Sequence, residues 1–279
     1  MTARWQAELA IAVGARVVAI DPIAGGDIND AYRVRLDDGR FVFVKTHGNP
    51  APDLYAAEAA GLAWLRPGPL RVPGVVAVTE RLLALEWLEL GPRGRGFDAA
   101  LGRGLARLHA IGAPTFGLAR SSYLATFVQD NTLTLDGPAF WIEQRVRPLA
   151  IAAHARGRMP DVRARLDALL ARRDRFGPDE PPARLHGDLW WGNVVAVDGA
   201  PVLIDPAVYG GHREVDLAML ALFGGVSSTL IAAYEEVAPL AAGWRERVGL
   251  WQLYPLAAHA VLFGGGYGPQ LAQILDRLG

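Results

Sequence analysis

The chain has no cysteine and one lysine, and its 28 basic and 29 acidic side chains nearly cancel. Without cysteine there is no disulfide, no thiolate metal site and no thiol switch, and the cytoplasm is the simplest location. A net charge of −1 supplies no overall field that would draw the chain to nucleic acid or to an anionic membrane. No unbroken apolar run reaches membrane-spanning length. The longest uncharged stretch, Leu217 to Tyr234, is interrupted by Gly224-Gly225 and Ser227-Ser228-Thr229 and reads as two buried helices. The opening MTARWQAELA carries Glu8 and lacks the apolar core expected of a secretory leader. Internal repeats, low-complexity tracts and clustered His/Cys metal motifs are also missing.

Among these deficits the scarcity of lysine says most. Lysine and arginine together number 28, so with Lys45 the only lysine the other 27 are arginine. On a solvated surface either cation serves, and a coding bias toward arginine accounts for that majority. A compact ammonium stops being interchangeable with guanidinium where it must fit against phosphate oxygens in a confined site. Period two along Phe41-Val-Phe-Val-Lys-Thr puts Lys45 on the face of Phe41 and Phe43, where a cation needs an anionic partner.

With 279 residues, 51% of them hydrophobic and 20% charged, the chain has the size of one large domain or two lobes. Its polar chemistry is concentrated in Arg184 to Asn193, RLHGDLWWGN. An Asp that takes a proton from an attacking hydroxyl, followed at this spacing by an Asn whose amide oxygen holds Mg²⁺, is the catalytic-loop arrangement of kinases. Asp188 and Asn193 fit those roles. A second acid, Asp205, ends the strand-like run Val202 to Ile204, and an Asp198-Gly199 turn after Val194 to Val197 predicts a hairpin that returns Asp205 beside Asn193. Taken singly, these residues read as a polar loop whose Asp and Asn cap turns. The set HGDxxxxN followed by a strand ending in Asp-Pro is far more specific.

Upstream, Val17 to Ile20, Ala31 to Leu36, Phe41 to Thr46, Val75 to Val78 and Leu82 to Leu85 read as strands of a small antiparallel sheet. The loop Ala24 to Asp30 has no GK[ST] and opens no helix, so it is not a Walker A loop. It reads either as an ordinary glycine turn or as a lid whose amides at Gly25, Gly26, Asp27, Ile28 and Asn29 cover nucleotide phosphates. Asp53 is placed to cap a helix over Leu54 to Leu65, and Glu58 on it is either solvated or the partner of Lys45. The stretch Glu86 to Gly91 reads as a hinge whose backbone near Glu86 and Leu88 can meet an adenine edge. The composition break Pro92 to Gly96 divides a nucleotide-binding lobe, residues 1–90, from a catalytic and substrate-binding lobe, residues 91–279. Beyond it, Phe97 to Ile111 is helical with His109 a core or loop-supporting residue, and Ser121 to Pro138 is a loop with Gln129 and Asn131 as polar candidates. Helices are expected at 139–157 and 160–176, with Arg145 and Arg147 on the first either reaching phosphate or substrate or, the reading preferred, solvated at the surface. Asp216 is placed to buttress the catalytic loop through backbone amides or His186, and helices close the chain at 243–263 and 267–278.

These motifs resemble the fructosamine kinases, or ketosamine-3-kinases, a branch of the aminoglycoside-phosphotransferase-like superfamily. The likeness rests on HGDLWWGN at 186–193, DPAVYGGHREVDLAM at 205–219, EWLELG at 86–91 and FGGGY at 263–267, with weaker echoes in ARLHA, QDN and FWIEQRVRP. The resemblance implies an α+β, two-lobed protein-kinase-like fold and ATP- and Mg²⁺-dependent phosphorylation of the 3-hydroxyl of ketosamines, free or protein-linked, a deglycation repair activity. A monomer is favoured. In that reading Asp188 is the base, Asn193 and Asp205 hold Mg²⁺, and Lys45, held by Glu58, binds phosphate. Trp190, Trp191, His212, Glu214, His259 and Tyr267 are acceptor-binding candidates, with a structural role equally open for His212 and Glu214. Two departures stand out: Trp191, where the family commonly has Ser, and Asp27, where some relatives have Cys. A related kinase of aminoglycosides, choline or homoserine, or a catalytically silent nucleotide-binding protein, are the alternative readings. The absence of a dense acidic cluster in the C-terminal half argues against a polycationic aminoglycoside.

Overall fold

The computed structural model describes residues 4–24 and 29–279; Gly25, Gly26, Asp27 and Ile28 therefore lie outside the described residues. Helix α1 (Arg4–Val13), which no expectation covered, precedes strands β1 (Val17–Ile23), β2 (Asp30–Leu36) and β3 (Phe41–Thr46). Helix α2 (Leu54–Leu65), β4 (Val75–Val78) and β5 (Leu82–Glu86) follow. The five strands form one antiparallel sheet in the order β1-β2-β3-β5-β4. Strand alternation sorts its faces. Val34, Leu36, Val42, Val44 and Ala84 pack with Leu9 of α1, whereas Phe43, Leu83 and Leu85 pack with Leu62 and Leu65 of α2. Lys45 is in register with the second set. Asp53 precedes α2 in the left-handed region (φ 56°) and makes no side-chain cap, so the expected capping bond is not formed.

The remainder is mostly helical. Helix α3 (Phe97–Ile111) leads to a two-stranded hairpin, β6 (Ser122–Leu124) and β7 (Phe127–Gln129), inside the stretch expected to be loop. The helix expected over 139–157 is composite: α4 (Gly137–Ala139), a π-helical segment over Phe140–Val146, and α5 (Arg147–Ala155). Next come α6 (Arg163–Ala171), β8 (Ala183–Leu185), the hairpin β9 (Val194–Val197) and β10 (Ala200–Leu203), and β11 (Tyr209–Gly211). Helices α7 (Glu214–Leu222), α8 (Ser228–Glu235), α9 (Trp244–Phe263) and α10 (Tyr267–Leu278) complete the chain. This is the α+β arrangement expected, sheet first and helices after. No helix among the described residues is long and apolar enough to cross a membrane.

Three packing features position the site. One apolar cluster runs from α2 and β5 through Leu101 and Leu105 of α3 to Leu217, Leu220 and Leu230, so the sheet and the helices share a core. Past the expected hinge, the chain is zipped to the β9–β10 hairpin, Gly91 N–H donating to Ala196 O at 3.0 Å and Gly94 N–H to Gly199 O at 2.9 Å. Helix α3 lies so close to α8 that a Cβ at Gly102 would sit 2.2 Å from the carbonyl oxygen of Leu230. That contact brings His109 of α3 against Tyr234 of α8.

Candidate active site

The HGD turn is shaped by its backbone. Gly187 is left-handed (φ 82°), and a Cβ there would lie 2.1 Å from the carbonyl oxygen of Ala207, so only glycine fits. Asp216, fully buried on α7, accepts from the amides of His186 at 2.8 Å and Gly187 at 3.0 Å. His109 Nε2 lies 3.2 Å from the same carboxylate and its Nδ1 lies 2.8 Å from the Tyr234 hydroxyl, the tautomer that donates to the acid and accepts from the phenol. Burial alone would raise the Asp216 carboxyl, but His109, His186 and the loop amide hold it below the usual carboxylate range. The expected buttress is therefore formed through amides, with His109 as its third leg. Asp216→Ala strips two buried amides and a histidine of their acceptor. A loss of about 3 kcal/mol of unfolding free energy is expected by denaturant titration, against well under 1 for an exposed acid such as Asp276.

His186 closes the turn from the other side. Its Nε2 donates to Ile204 O at 2.9 Å, its Nδ1 accepts from Asp188 N–H at 3.3 Å, and burial lowers its pKa, so it is a neutral spacer. The β9–β10 hairpin has the predicted two-residue turn, with Asp198 (φ 50°) and Gly199 (φ 78°) both left-handed, and pairs Val194 with Leu203. Ile204 N–H donates to Asn193 O at 3.0 Å, so Asp205 returns beside Asn193 as anticipated. Asp205 is itself left-handed (φ 55°), a strain of order 1 kcal/mol for a residue with a Cβ. The bonds from Ile204 and from Ala207 N–H to His186 O (2.9 Å) hold it there.

Lys45 Nζ lies 2.6 Å from Asp205 Oδ1 and 2.7 Å from Glu58 Oε1. Burial alone would pull this ammonium down, but the charges of Asp205 and Glu58 more than reverse that and keep it above its ordinary range. Asn193 Nδ2 donates to the Asp188 backbone at 2.8 Å and to Asp188 Oδ2 at 3.1 Å. Burial, with the nearby Asp205 charge, raises the Asp188 carboxyl to about 7. Four groups from β3, α2, the HGD turn and the end of the β9–β10 hairpin thus lie together. Their donor set suits a hard cation bound jointly with phosphate oxygens. With Lys45 on Oδ1, Asp205 still offers Oδ2 on a side chain 42% exposed, and Asn193, its nitrogen committed to Asp188, offers Oδ1. No cluster of three or more His, Cys, Asp or Glu suited to a metal exists among the described residues.

A family model for fructosamine kinase matches residues 1–278. The chain belongs to the fructosamine kinase family. A relative named as a probable ketoamine kinase from Enterococcus faecium is 37% identical over 92% of this chain and 94% of its own length. A chloroplastic protein-ribulosamine 3-kinase from Oryza sativa subsp. indica is 32% identical over 94% of this chain and 79% of its own. A Thermobifida fusca structure solved under a fructosamine-3-kinase assignment, 39% identical, superposes with a TM-score of 0.90 over 99% of this chain and 98% of that one. The protein-kinase-like fold extends to an aminoglycoside phosphotransferase solved with streptomycin and ATP, at 13% identity and a TM-score of 0.64 over 99% and 96% of the two chains.

The remaining expected site residues of this fructosamine kinase family member fall into three groups. Of the glycine loop only Asn29 is described, its Oδ1 accepting from the Tyr55 hydroxyl at 3.3 Å. At the hinge, the Glu86 carboxylate is spent on Arg71 and on Gly74 N–H, and its own N–H donates to Gly74 O. Leu88 makes no hydrogen bond to another described backbone group, which leaves its amide and carbonyl for a ligand edge. Trp190, 42% exposed, follows the HGD turn and covers Gly192. Trp191 donates its indole N–H to Gly225 O at 2.9 Å under the Arg93 guanidinium, 4.5 Å from its ring. His259 donates Nδ1–H to Pro255 O at 2.8 Å and packs against Phe223, Phe263 and Tyr267.

Glu214 and His212 stand apart from this surface. Glu214 is buried, with both oxygens taken by Arg247 at 2.6 and 2.9 Å and one also by the Trp251 indole at 2.8 Å, so no lone carboxylate remains for a cationic amine. His212 stacks on Trp251 at 4.4 Å and accepts from Glu214 N–H. Of the two roles left open for this pair, the structural one fits. Arg145, expected in solvent, is 1% exposed. Sequence reasoning did not single out Tyr234 or Arg247, whose partners lie 125 and 33 residues away and leave no local signal.

Proposed function

We propose that the chain is an ATP-dependent kinase that phosphorylates the 3-hydroxyl of ketosamines, the adducts that reducing sugars leave on amines. The observation that carries this reading is the ammonium of the sole lysine, held between Glu58 and Asp205 in the cleft that also contains Asp188, on a chain of this family. The names ketoamine kinase and protein-ribulosamine 3-kinase borne by relatives support the acceptor and the position. Residues 1–90 act as the nucleotide lobe and 91–279 as the catalytic lobe, with Leu88 offering its backbone to the adenine. Asn193 and Asp205 would hold Mg²⁺, which when bound neutralises phosphate charge. Lys45 turns from Asp205 toward phosphate while Glu58 keeps it aimed. Asp188 orients the acceptor hydroxyl and takes its proton. Trp190 and Trp191, with the His259 and Tyr267 surface, face the sugar adduct. Phosphoryl transfer has a loose transition state, so in-line positioning and charge neutralisation supply most of the acceleration.

The test is transfer of radiolabelled phosphate from ATP to a fructosamine, a ribulosamine and an aminoglycoside panel. Ketosamine labelling at the 3-hydroxyl is expected. Labelling of aminoglycosides alone, or nucleotide binding with no transfer, would reject the assignment. A second expectation concerns self-modification. Sugars add to unprotonated, accessible amines, and Lys45, the only lysine, is 7% exposed and ion-paired. Prolonged incubation with ribose followed by peptide mass mapping is expected to find Lys45 unmodified and activity retained. An adduct on Lys45 would contradict the ion-pair geometry.

A further inference from the structure

Arg145 is the buried cation for which the roles above have no use. It belongs to the seven-residue π-helical segment Phe140–Val146 and is 1% exposed, yet it forms no ion pair among the described residues. Its guanidinium donates to Asp130 O and to Asn131 Oδ1, each at 2.5 Å, and lies 4.4 Å from the Phe140 ring and 4.1 Å from the Tyr209 ring. Its Nε has no partner. Arg147, two residues on, shows the ordinary alternative, pairing near the surface with Glu143 at 2.6 Å and Asp167 at 2.7 Å. A buried guanidinium without a carboxylate is costly, and an apolar side chain of similar volume would serve the core at least as well. The wider π turn, uncommon and frequent near functional sites, places Arg145 on the same inner side as Trp141, Ile142 and Val146.

What the guanidinium touches explains its retention. Asn131, held by its Oδ1, donates Nδ2–H to Arg120 O at 2.9 Å and to Ser122 Oγ at 2.8 Å, and Ser122 binds Gln129. Gln129 in turn donates to the Tyr254 hydroxyl at 3.0 Å. The β6–β7 hairpin fixed in this way reaches Pro52 O through the Tyr123 hydroxyl, immediately before the helix that carries Glu58. On the other side of Arg145, Tyr209 pairs with Leu185 in β11–β8, and its ring edge lies 3.1 Å from the place a Gly187 Cβ would occupy. We infer that Arg145 is a positioning residue for phosphoryl transfer, pinning the 129–131 segment at the end of β7 to the tyrosine that supports the Gly187–Asp188 turn. The pin links the β6–β7 hairpin to the turn that carries Asp188. It does not touch Lys45, which contacts Glu58 and Asp205 directly.

This inference rests on the kinase reading, so its test has one arm that needs no turnover. Arg145→Lys keeps the charge but cannot span both acceptors while lying flat on Tyr209, and Arg145→Met removes the charge. Both are expected to lower kcat toward a ketosamine about 10- to 100-fold, the scale of a slight misplacement at the reacting centre. KM for ATP should change less than about threefold, because the Lys45 cluster is intact. Hydrogen exchange should show amides 129–131 and 186–188 losing protection together, with those of α2 unchanged. Asn131→Ala, which breaks the same link and leaves Arg145 in its aromatic surroundings, should reproduce both effects and serves if the Arg145 variants do not fold. A lower melting temperature with kcat per folded molecule unchanged, or deprotection spread over the whole protein, would overturn the inference. If the wild type phosphorylates no ketosamine, the functional reading fails and the exchange data alone decide the pin.

Discussion

Replacing Asp205 with alanine is expected to lower kcat by about 10³-fold or more, which corresponds to about 4 kcal/mol of transition-state stabilisation. Asp205 has two functions in one carboxylate. Its Oδ1 meets Lys45 at 2.6 Å, and its other oxygen is the acidic half of the proposed Mg²⁺ site with Asn193. Alanine removes both. Glu58→Ala removes only the group that aims Lys45, which keeps Asp205 as a partner and would meet phosphate when nucleotide binds. A loss of about 10- to 100-fold is expected there, carried by kcat/KM for ATP as well as by kcat. Kinetics at saturating ATP and ketosamine, with circular dichroism to confirm folding, check both variants. Near-normal turnover in Asp205→Ala, or a smaller loss there than in Glu58→Ala, would refute the assignment.

Asp188→Asn is expected to lower kcat about 10²- to 10⁴-fold, the usual range for removing a general base, with KM for ATP little changed. The same substitution should stabilise the ligand-free protein at alkaline pH. Burial, aided by the Asp205 charge, raises the Asp188 carboxyl to about 7 in the folded chain, against an ordinary 3.8. The folded state therefore holds this proton more tightly than the unfolded state. Its stabilising contribution is full below about pH 4 and is lost as pH rises through about 7. Asparagine has no such titration and can still accept from Asn193. Because Asp188 is half-buried and meets solvent, the gain at pH 8 is expected to be about 1 to 2 kcal/mol, less than the nominal shift implies. Denaturant titrations at pH 5 and pH 8 with chelator present measure it. A variant less stable than wild type at pH 8 would show that the Asp188 charge is compensated in the folded state.

The convergence of Lys45 with Glu58 and Asp205, and of Asn193 with Asp188, was legible because its signals are local. HGDxxxxN is a short motif, the Asp198-Gly199 turn dictates the hairpin that returns Asp205, and period two orients Lys45. The five-stranded sheet was legible for the same reason, as alternation and turn residues recur within a few positions. What escaped depends on distant partners. Glu214 could be read as an amine-binding or a structural carboxylate, and only Arg247 and Trp251, on a helix 33 and 37 residues later, decide between them by occupying both its oxygens. Arg145 reads as a surface cation, since three-dimensional closure alone brings Asp130, Asn131 and Tyr209 around it, and a π turn has no pattern distinct from an α-helix at this length. The β6–β7 hairpin is three residues on each side, too short for alternation to register.

The central claim is that Lys45, Asp188, Asn193 and Asp205 surround one metal-bound triphosphate. Its most direct measurement is anomalous scattering from Mn²⁺ in crystals grown with a non-hydrolysable ATP analogue. A metal peak is expected in direct coordination with Asp205 and the Asn193 amide oxygen, with the Lys45 ammonium on phosphate instead of on Asp205. A metal bound elsewhere, or a triphosphate that leaves Lys45 locked between Glu58 and Asp205, would contradict it.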